Sequence, residues 1–164
     1  EGEINQALDS LMALGHGTSV NVMEVSKEPP PAMIADTLKL AKDEMVVRAI
    51  RVRCLDGVPL GHVVSYVPGE LSNQVTSINL AKLPILKILE NAGYKADRGE
   101  QTIGATLADT RLAEALELEP RSALLRIGRT VYDKKGKPFL VTIANYRADK
   151  FNIRIDLNAA ALDV

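Results

Sequence analysis

Residues 51–68 have the sequence Arg-Val-Arg-Cys-Leu-Asp-Gly-Val-Pro-Leu-Gly-His-Val-Val-Ser-Tyr-Val-Pro, which predicts a strand, a tight turn and a returning strand. The turn falls at Asp56-Gly57. Asp-Gly between two runs rich in Val and Leu is a strong hairpin signal, because the turn needs a positive φ that glycine adopts without steric cost. The fold is therefore expected to be built around a β-hairpin.

The hairpin pattern and the segment before it occur twice, 78 residues apart. Val47-Arg48-x-x-Arg51 returns as Leu125-Arg126-x-x-Arg129, and Ala35-x-x-Leu38-x-Leu40 returns as Ala113-x-x-Leu116-x-Leu118. Each unit thus consists of a short helix, a small loop and a hairpin, and the second turn is expected at residues 133–136. Two units are too few for a solenoid, in which three or more repeats stack. We expect them to form two halves of one sheet.

The two returning strands also correspond to each other. Pro138 follows the second turn as Pro59 follows the first, and Tyr146 lies near the end of its strand as Tyr66 does. Each tyrosine is therefore expected near the end of its returning strand.

The segments outside the hairpins alternate between helix and strand patterns. Apolar spacing, with proline and glycine at the boundaries, predicts a helix over Glu3–Leu14, a strand over Thr18–Val25, a helix over Ala32–Leu40, a helix resuming near Leu83, a strand over Lys95–Leu107, a helix from Asp109 or Thr110 to Leu116, and a strand over Asn152–Leu157. With the hairpins, this gives six or seven mostly antiparallel strands and about four helices. We predict one α+β domain over residues 1–164, with helices set on one face of the sheet.

Composition and charge narrow the class of protein. Of the 164 residues, 46% are apolar and 25% are charged, as is ordinary for a globular domain. The net charge of −1 argues against a nucleic-acid surface. No run of about 18 apolar residues is present to span a membrane, and we expect a cytoplasmic protein. The single cysteine, Cys54, lies mid-strand and is expected to be a small buried hydrophobe rather than a nucleophile.

Sequence motifs for catalysis are absent. The chain has no phosphate-binding loop, no dinucleotide fingerprint and no nucleophile elbow. The two histidines, His16 and His62, have no Cys or His at ligand spacing, which makes a zinc site improbable. The returning strands carry apolar residues where paired carboxylates would be needed. We therefore expect no catalytic residue, no metal and no cofactor, and a binding cavity rather than an enzyme.

Arg51 and Arg53 are the residues most suggestive of binding. They are two residues apart, so a strand directs both to the same face. One interpretation is an exposed face or a set of ion pairs with nearby acids. The other is a site in which both guanidinium groups bind one carboxylate or phosphate, whose geometry suits the planar guanidinium fork. Spacing alone does not choose between them.

With both hairpins in view, the chain resembles a UTRA domain, the effector-sensing half of the HutC-like branch of GntR-type transcription regulators. The resemblance extends from about residue 15 to residue 157 and is carried by residues 47–68, 101–109 and 124–149, and above all by the Ser-Tyr-x-Pro of 65–68 and the Tyr-Arg-x-Asp of 146–149. It implies a chorismate-lyase-like fold, with helices packed against a twisted antiparallel sheet, and a homodimer that binds a small-molecule effector. A winged helix-turn-helix precedes this domain in such regulators, and we expect DNA contact only through such a separate N-terminal domain, which this chain lacks.

The resemblance also implies a site. Members that sense phosphorylated amino sugars carry two arginines at positions matching Arg51 and Arg53, and a tyrosine matching Tyr146. The side chains expected to face the effector are Arg51, Arg53, Val63, Ser65, Leu86, Gln101, Leu140, Thr142 and Tyr146.

This chain departs from that pattern where the sugar would be held. Val63 and Leu140 occupy the positions where acids are expected on the returning strands. Pro84 and Leu86 occupy the positions where a pair of hydroxyl side chains is expected early in the Leu83 helix. Acceptors for sugar hydroxyls are thereby replaced with apolar wall. The expected effector is an organic anion with an apolar or aromatic body rather than a sugar phosphate.

Two other functions remain open at the level of sequence. The same fold hosts chorismate cleavage, so a lyase-type enzyme is one alternative, although an enzyme would need a positioned acid where Val63 and Leu140 stand. A dimerisation module is the other, if Leu86 and Leu140 fill the pocket.

Overall fold

A six-stranded sheet forms the centre of the computed structural model, which describes residues 18–162. The strands are β1 (Thr18–Glu28), β2 (Val46–Leu55), β3 (Val58–Pro68), β4 (Arg98–Leu107), β5 (Ala123–Tyr132) and β6 (Pro138–Arg147). Their order is β1-β2-β3-β6-β5-β4, and every neighbouring pair is antiparallel. The predicted α+β class and the antiparallel sheet are confirmed.

Both hairpins form where the sequence predicts them. The first turn has positive φ at both central residues, 50° at Asp56 and 77° at Gly57, as a tight two-residue hairpin loop requires. The second hairpin turns through residues 133–136, where the side chain of Asp133 accepts hydrogen bonds from the backbone of Lys135 and Lys137.

Four short α-helices connect the strands. They are α1 (Ala32–Thr37), α2 (Ser77–Lys82), α3 (Ile85–Asn91) and α4 (Thr110–Ala115), and two 3-10 turns lie at Gly69–Leu71 and Ala159–Ala161. The side chain of Asp109 caps α4 by accepting a hydrogen bond from Leu112 N at 2.8 Å. No helix within residues 18–162 is long and apolar enough to cross a bilayer.

Helices cover both faces of the sheet, not one face as expected. Val47 packs in a cluster with residues of α2 and α3, whereas its neighbour Val46 packs with residues of α1. Adjacent strand residues point to opposite faces, so these helices lie on opposite sides. Helix α4 shares the side of α1, because it packs on Leu124, while Leu125 faces the other cluster.

The repeat in the sequence corresponds to a pseudo-two-fold arrangement of the sheet. Each half is a strand, a helix and a hairpin, and the halves meet at the β3–β6 pair. At its middle Val64 pairs with Ile143, which lies 79 residues later. Tyr66 and Tyr146 are 80 residues apart and are therefore out of phase: Tyr66 packs on the α1 face and Tyr146 on the other. Both tyrosines lie near the ends of their strands, as the sequence predicts, but they face opposite sides of the sheet.

Three predicted elements differ from the structure, and one lies outside it. The helix near Leu83 is two helices, because Leu83 adopts the extended conformation (φ −132°, ψ 147°) that a following proline favours. The last strand is absent: residues 151–158 have no regular structure, and Phe151 packs on the sheet face instead of extending its edge. Helix α1 ends at Thr37, before Leu40. The helix predicted over Glu3–Leu14 lies outside the described residues.

Candidate ligand-binding cavity

A cavity of about 490 Å³ lies between the sheet and the start of α3. Its floor is formed by β2, β3, β5 and β6, with Val20 of β1 at one side and the segment Pro84–Leu86 above. The lining residues are Val20, Arg51, Arg53, Val63, Pro84, Ile85, Leu86, Ile127, Arg129, Val131, Leu140, Thr142, Ala144 and Tyr146. This volume is typical of small-molecule sites. Side chains of residues 18–162 leave this pocket open, which argues against a dimerisation module with a filled pocket.

Three arginines line this cavity without any acid. They are Arg51 and Arg53 on β2 and Arg129 on β5, and the lining drawn from residues 18–162 contains no Asp or Glu. Within that part of the chain, no ion pair involves any of the three. Among residues 18–162, Arg51 and Arg53 thus lack the ion pairs that the alternative interpretation requires. The described lining carries three positive charges and no negative one.

Arg51 is the most strongly buried of these cations. Its Nη2 donates a hydrogen bond to Ser65 Oγ at 2.7 Å, and the residue is 9% exposed. Burial, and secondarily the charge of Arg53, lower the pKa of Arg51 to about 10, while Tyr146 acts in the opposite direction. The buried Nε atoms of Arg51 and Arg53 have no hydrogen-bond partner among the described residues. A desolvated cation beside a like charge is unfavourable until an anion binds.

A line of neutral hydrogen bonds holds the arginines in place. Ser65 Oγ, which accepts from Arg51, also lies 3.0 Å from Thr142 Oγ1 across the β3–β6 pair. On the next strand, Gln101 Oε1 accepts from Arg129 Nε at 3.0 Å and from Arg129 Nη2 at 2.9 Å. Hydroxyl and amide partners orient a guanidinium without neutralising it. The charges thus stay available to a ligand.

The remaining wall is apolar. Val63, Leu140 and Ala144 form the floor between the arginines. At one end, the ring of Tyr146 stacks on Phe151 with centroids 4.3 Å apart and an interplanar angle of 11°. A ligand in this cavity would therefore meet guanidinium groups and hydrocarbon surface.

The sequence-predicted site residues fall into two groups. Seven line the cavity: Arg51, Arg53, Val63, Leu86, Leu140, Thr142 and Tyr146. The other two do not, because Ser65 is buried behind the Arg51 hydrogen bond and Gln101 lies behind Arg129. Arg129 is absent from the predicted set. Its signal was present in the repeat, since it occupies the position of Arg51 in the second unit.

Residues on the opposite face do not contribute to this cavity. His62 is buried beneath α4, where burial, and secondarily the charge of Arg111, lower its pKa, while Asp109 opposes them. Cys54 is buried with its thiol free, as expected from its position in the strand. Across residues 18–162, no group of His, Cys, Asp and Glu side chains is arranged to hold a metal ion.

Comparison with known proteins agrees with this architecture. The UTRA domain family model matches residues 13–152. A curated relative, the HTH-type transcriptional regulator Rv0792c of Mycobacterium tuberculosis, is 26% identical over 151 residues. The match covers 90% of this chain and 55% of the relative, so the chain spans about half of that protein's length.

Two solved structures share the fold. The ligand-binding domain of a regulator assigned to the GntR family, from Bordetella bronchiseptica, superposes with a TM-score of 0.79 at 25% identity, covering 87% of this chain and 92% of that one. The effector domain of PhnF from Mycobacterium smegmatis gives a TM-score of 0.81 at 20% identity, covering 92% of this chain and 93% of that one.

Proposed function

The chain belongs to the UTRA domain family, and on that premise we propose that it senses a small anionic effector as part of a GntR-family transcriptional regulator. The observation that carries the proposal is the buried Arg51, which lines a cavity with two further arginines and no carboxylate from residues 18–162. Charged groups are rarely buried without a partner. An anionic ligand would supply the missing partner.

The effector is an organic acid with an apolar or aromatic body. Val63 and Leu140 present hydrocarbon where sugar-sensing members carry acids, and the nearby polar groups Ser65 and Gln101 already accept hydrogen bonds from arginines. A sugar hydroxyl buried there without a partner would cost about 1–3 kcal/mol. An apolar body would instead gain about 25 cal/mol for each Å² removed from water. This comparison favours the acid over a hexose or hexosamine phosphate.

Calorimetric titration tests the effector class. Aromatic and fatty acids are expected to bind, and Arg51→Ala should weaken them about tenfold or more, because a charge-assisted hydrogen bond contributes about 1.5–3 kcal/mol. Arg126→Ala is the matched control, since Arg126 is exposed on the opposite face of β5. Submicromolar binding of a hexosamine phosphate, with the acids silent, would contradict this assignment of effector. Equal affinities of wild type and Arg51→Ala would remove Arg51 from the site.

A cytoplasmic homodimer that contacts DNA through a separate domain completes the proposal. Regulators of this kind read paired half-sites, and a two-fold dimer presents its readers with matching symmetry. The exposed edges of β1 and β4 are surfaces that a second copy could cover. Sedimentation at micromolar concentration should give twice the chain mass of 17.8 kDa. A single species at the chain mass would count against the dimer.

A lyase on the same fold is the weaker candidate. Cleavage of a chorismate-like substrate would need a positioned acid, and the cavity lining from residues 18–162 provides arginines, one threonine and one tyrosine as its polar groups. The relatives reported above are regulators. Incubation with chorismate should therefore give no turnover above that of the Arg51→Ala variant.

A further inference from the structure

We propose that the effector carries two anionic groups separated by an apolar spacer, with one group held at Arg51 and Arg53 and the other at Arg129. This inference rests on the proposed function and specifies the ligand of the same cavity. Arg129 is not among the site residues that the resemblance implies. In this inference it is the residue that determines specificity for a second anionic group.

The arrangement of the strands separates the two cationic positions. Ser65, which accepts the hydrogen bond of Arg51, pairs with Thr142, and Thr142 pairs in turn with Arg129. These three residues form one row across β3, β6 and β5, and Gln101 of β4 ends it. The guanidinium of Arg51 is anchored at one end of the row, and the guanidinium of Arg129 is anchored at the other.

The length of this row sets the spacing of the charges. Neighbouring strands lie about 4.8 Å apart, so two to three spacings separate the strand positions of the two anchors by about 10–14 Å. One carboxylate is too small to pair with both ends over that distance, because an ion pair requires contact within about 4 Å. A ligand that satisfies both must therefore be bifunctional.

The charge balance favours the same conclusion. A monoanion at Arg51 and Arg53 would leave Arg129 facing the cavity with no acidic partner from residues 18–162. Gln101 takes two of the five guanidinium N–H groups of Arg129 and fixes the plane of the fork. Such a pre-oriented guanidinium is well suited to pair with a carboxylate or phosphate.

The surface between the two anchors fits a hydrocarbon spacer. Val63 and Ala144 form one cross-strand pair on the cavity floor, and Ile127 continues that row on β5. Leu140 and Val131 pair on the other side of Arg129. Among the lining residues from 18–162, Thr142 is the only polar side chain of the floor between the anchors, and its hydroxyl lies 3.0 Å from Ser65 Oγ. A linear or aromatic dicarboxylate matches this arrangement of charge and apolar surface.

Calorimetric titration of matched acid pairs tests the inference. Succinate, adipate, suberate, sebacate and terephthalate are compared with butyrate, hexanoate, octanoate, decanoate and benzoate. At least one dicarboxylate should bind about tenfold or more tightly than its monocarboxylate, which corresponds to one added charge-assisted contact. Arg129→Gln should weaken the dicarboxylate much more than its monocarboxylate partner and so abolish this advantage. Arg126→Gln, on the same strand but the opposite face, should change neither.

Each outcome of these titrations supports or overturns the two-charge ligand. Equal affinities within every pair, with monocarboxylate binding still dependent on Arg51, would overturn the two-charge ligand and leave the proposed function intact. Equal weakening of both acid classes by Arg129→Gln would show that the three arginines share one anionic group, which also overturns it. If no acid of either class binds, the organic-acid effector and the two-charge ligand are both overturned. Should Arg129→Gln unfold, Gln101→Ala releases the same guanidinium from outside the cavity and should reduce the dicarboxylate advantage alone.

Discussion

The ring of Tyr146 lies against the backbone of Gly61, its paired residue on β3, so closely that a Cβ at position 61 would come within 2.4 Å of the ring Cδ1. No side chain other than hydrogen fits there. The same ring stacks on Phe151 and lines the cavity. The glycine thus determines where the aromatic wall of the site lies.

We expect Gly61→Ala to displace Tyr146 and weaken effector binding. The added methyl must push the ring away, and overpacking of this kind costs about 1–3 kcal/mol of folding free energy. Gly104→Ala is the matched control, because a Cβ at that strand position meets open space. Chemical denaturation and calorimetric titration of the two variants measure both effects. Full affinity in Gly61→Ala would show that the position of Tyr146 is unimportant for binding.

We expect Arg51→Met to make the ligand-free protein more stable while abolishing anion binding. Burial and the charge of Arg53 depress the pKa of Arg51 to about 10, so the cation opposes folding in the absence of an anion. Removing such a functional strain commonly adds about 0.5–2 kcal/mol. Arg48→Met, three residues away on the opposite face, removes the ion pairs with Glu24 and Glu28 instead and should cost about 0–1 kcal/mol. A large loss of stability in Arg51→Met would mean that the guanidinium is structurally required.

Stability should fall in mildly acidic solution because of His62. Burial, and secondarily the charge of Arg111, lower the pKa of its imidazole below the usual 6.5 in the folded state. The unfolded chain therefore takes up this proton first, and the stabilisation that is complete above about pH 6.5 is lost as the pH falls through the lower folded pKa. Unfolding free energies at pH 8 and pH 5.5 should differ more for wild type than for His62→Gln. Identical differences would exclude His62 as the titrating group.

A local turn signal and a repeat along the chain were enough to predict most of the fold from the sequence. The Asp56-Gly57 turn and the 78-residue repeat placed both hairpins and their pairing within one sheet. The strand expected over Asn152–Leu157 failed because alternation does not specify a partner: Ile155 and Leu157 are exposed, and only the beginning of that segment packs on the sheet. Periodicity predicts local conformation but not which edge of a sheet is available.

The residues lining the cavity were predictable where the alternation of side chains along one strand determines which face they share. The shared face of Arg51 and Arg53 followed from their spacing. The repeat matched Arg129 to Arg51, and the pairing of β5 with β6 places it on the same floor. Strand parity within one hairpin does not show that Tyr66 and Tyr146 face opposite sides of the sheet. A shift of one residue between the two returning strands moves Tyr66 to the other face, and sequence comparison of the repeats does not reveal such a shift.

We expect Val63→Glu to block anion binding by placing a carboxylate beside Arg51. Val63 is directly opposite Arg51 in the β2–β3 ladder, and paired residues on one face have Cβ atoms about 4.5–5.5 Å apart. A glutamate there would pair with the guanidinium, raise the pKa of Arg51 towards its ordinary value and occupy the position of the effector's carboxylate.

The affinity for an acidic effector should therefore fall about tenfold or more, while the fold is retained because the new charge meets an existing opposite one. Val58→Glu, on the same strand but exposed near the hairpin turn, adds an identical charge away from the cavity and should leave binding unchanged. Calorimetric titration compares the two variants, and circular dichroism checks that both fold. If Val63→Glu binds the acid as tightly as Val58→Glu does, the positive charge of Arg51 does not hold the effector, because a carboxylate beside it would then be without consequence.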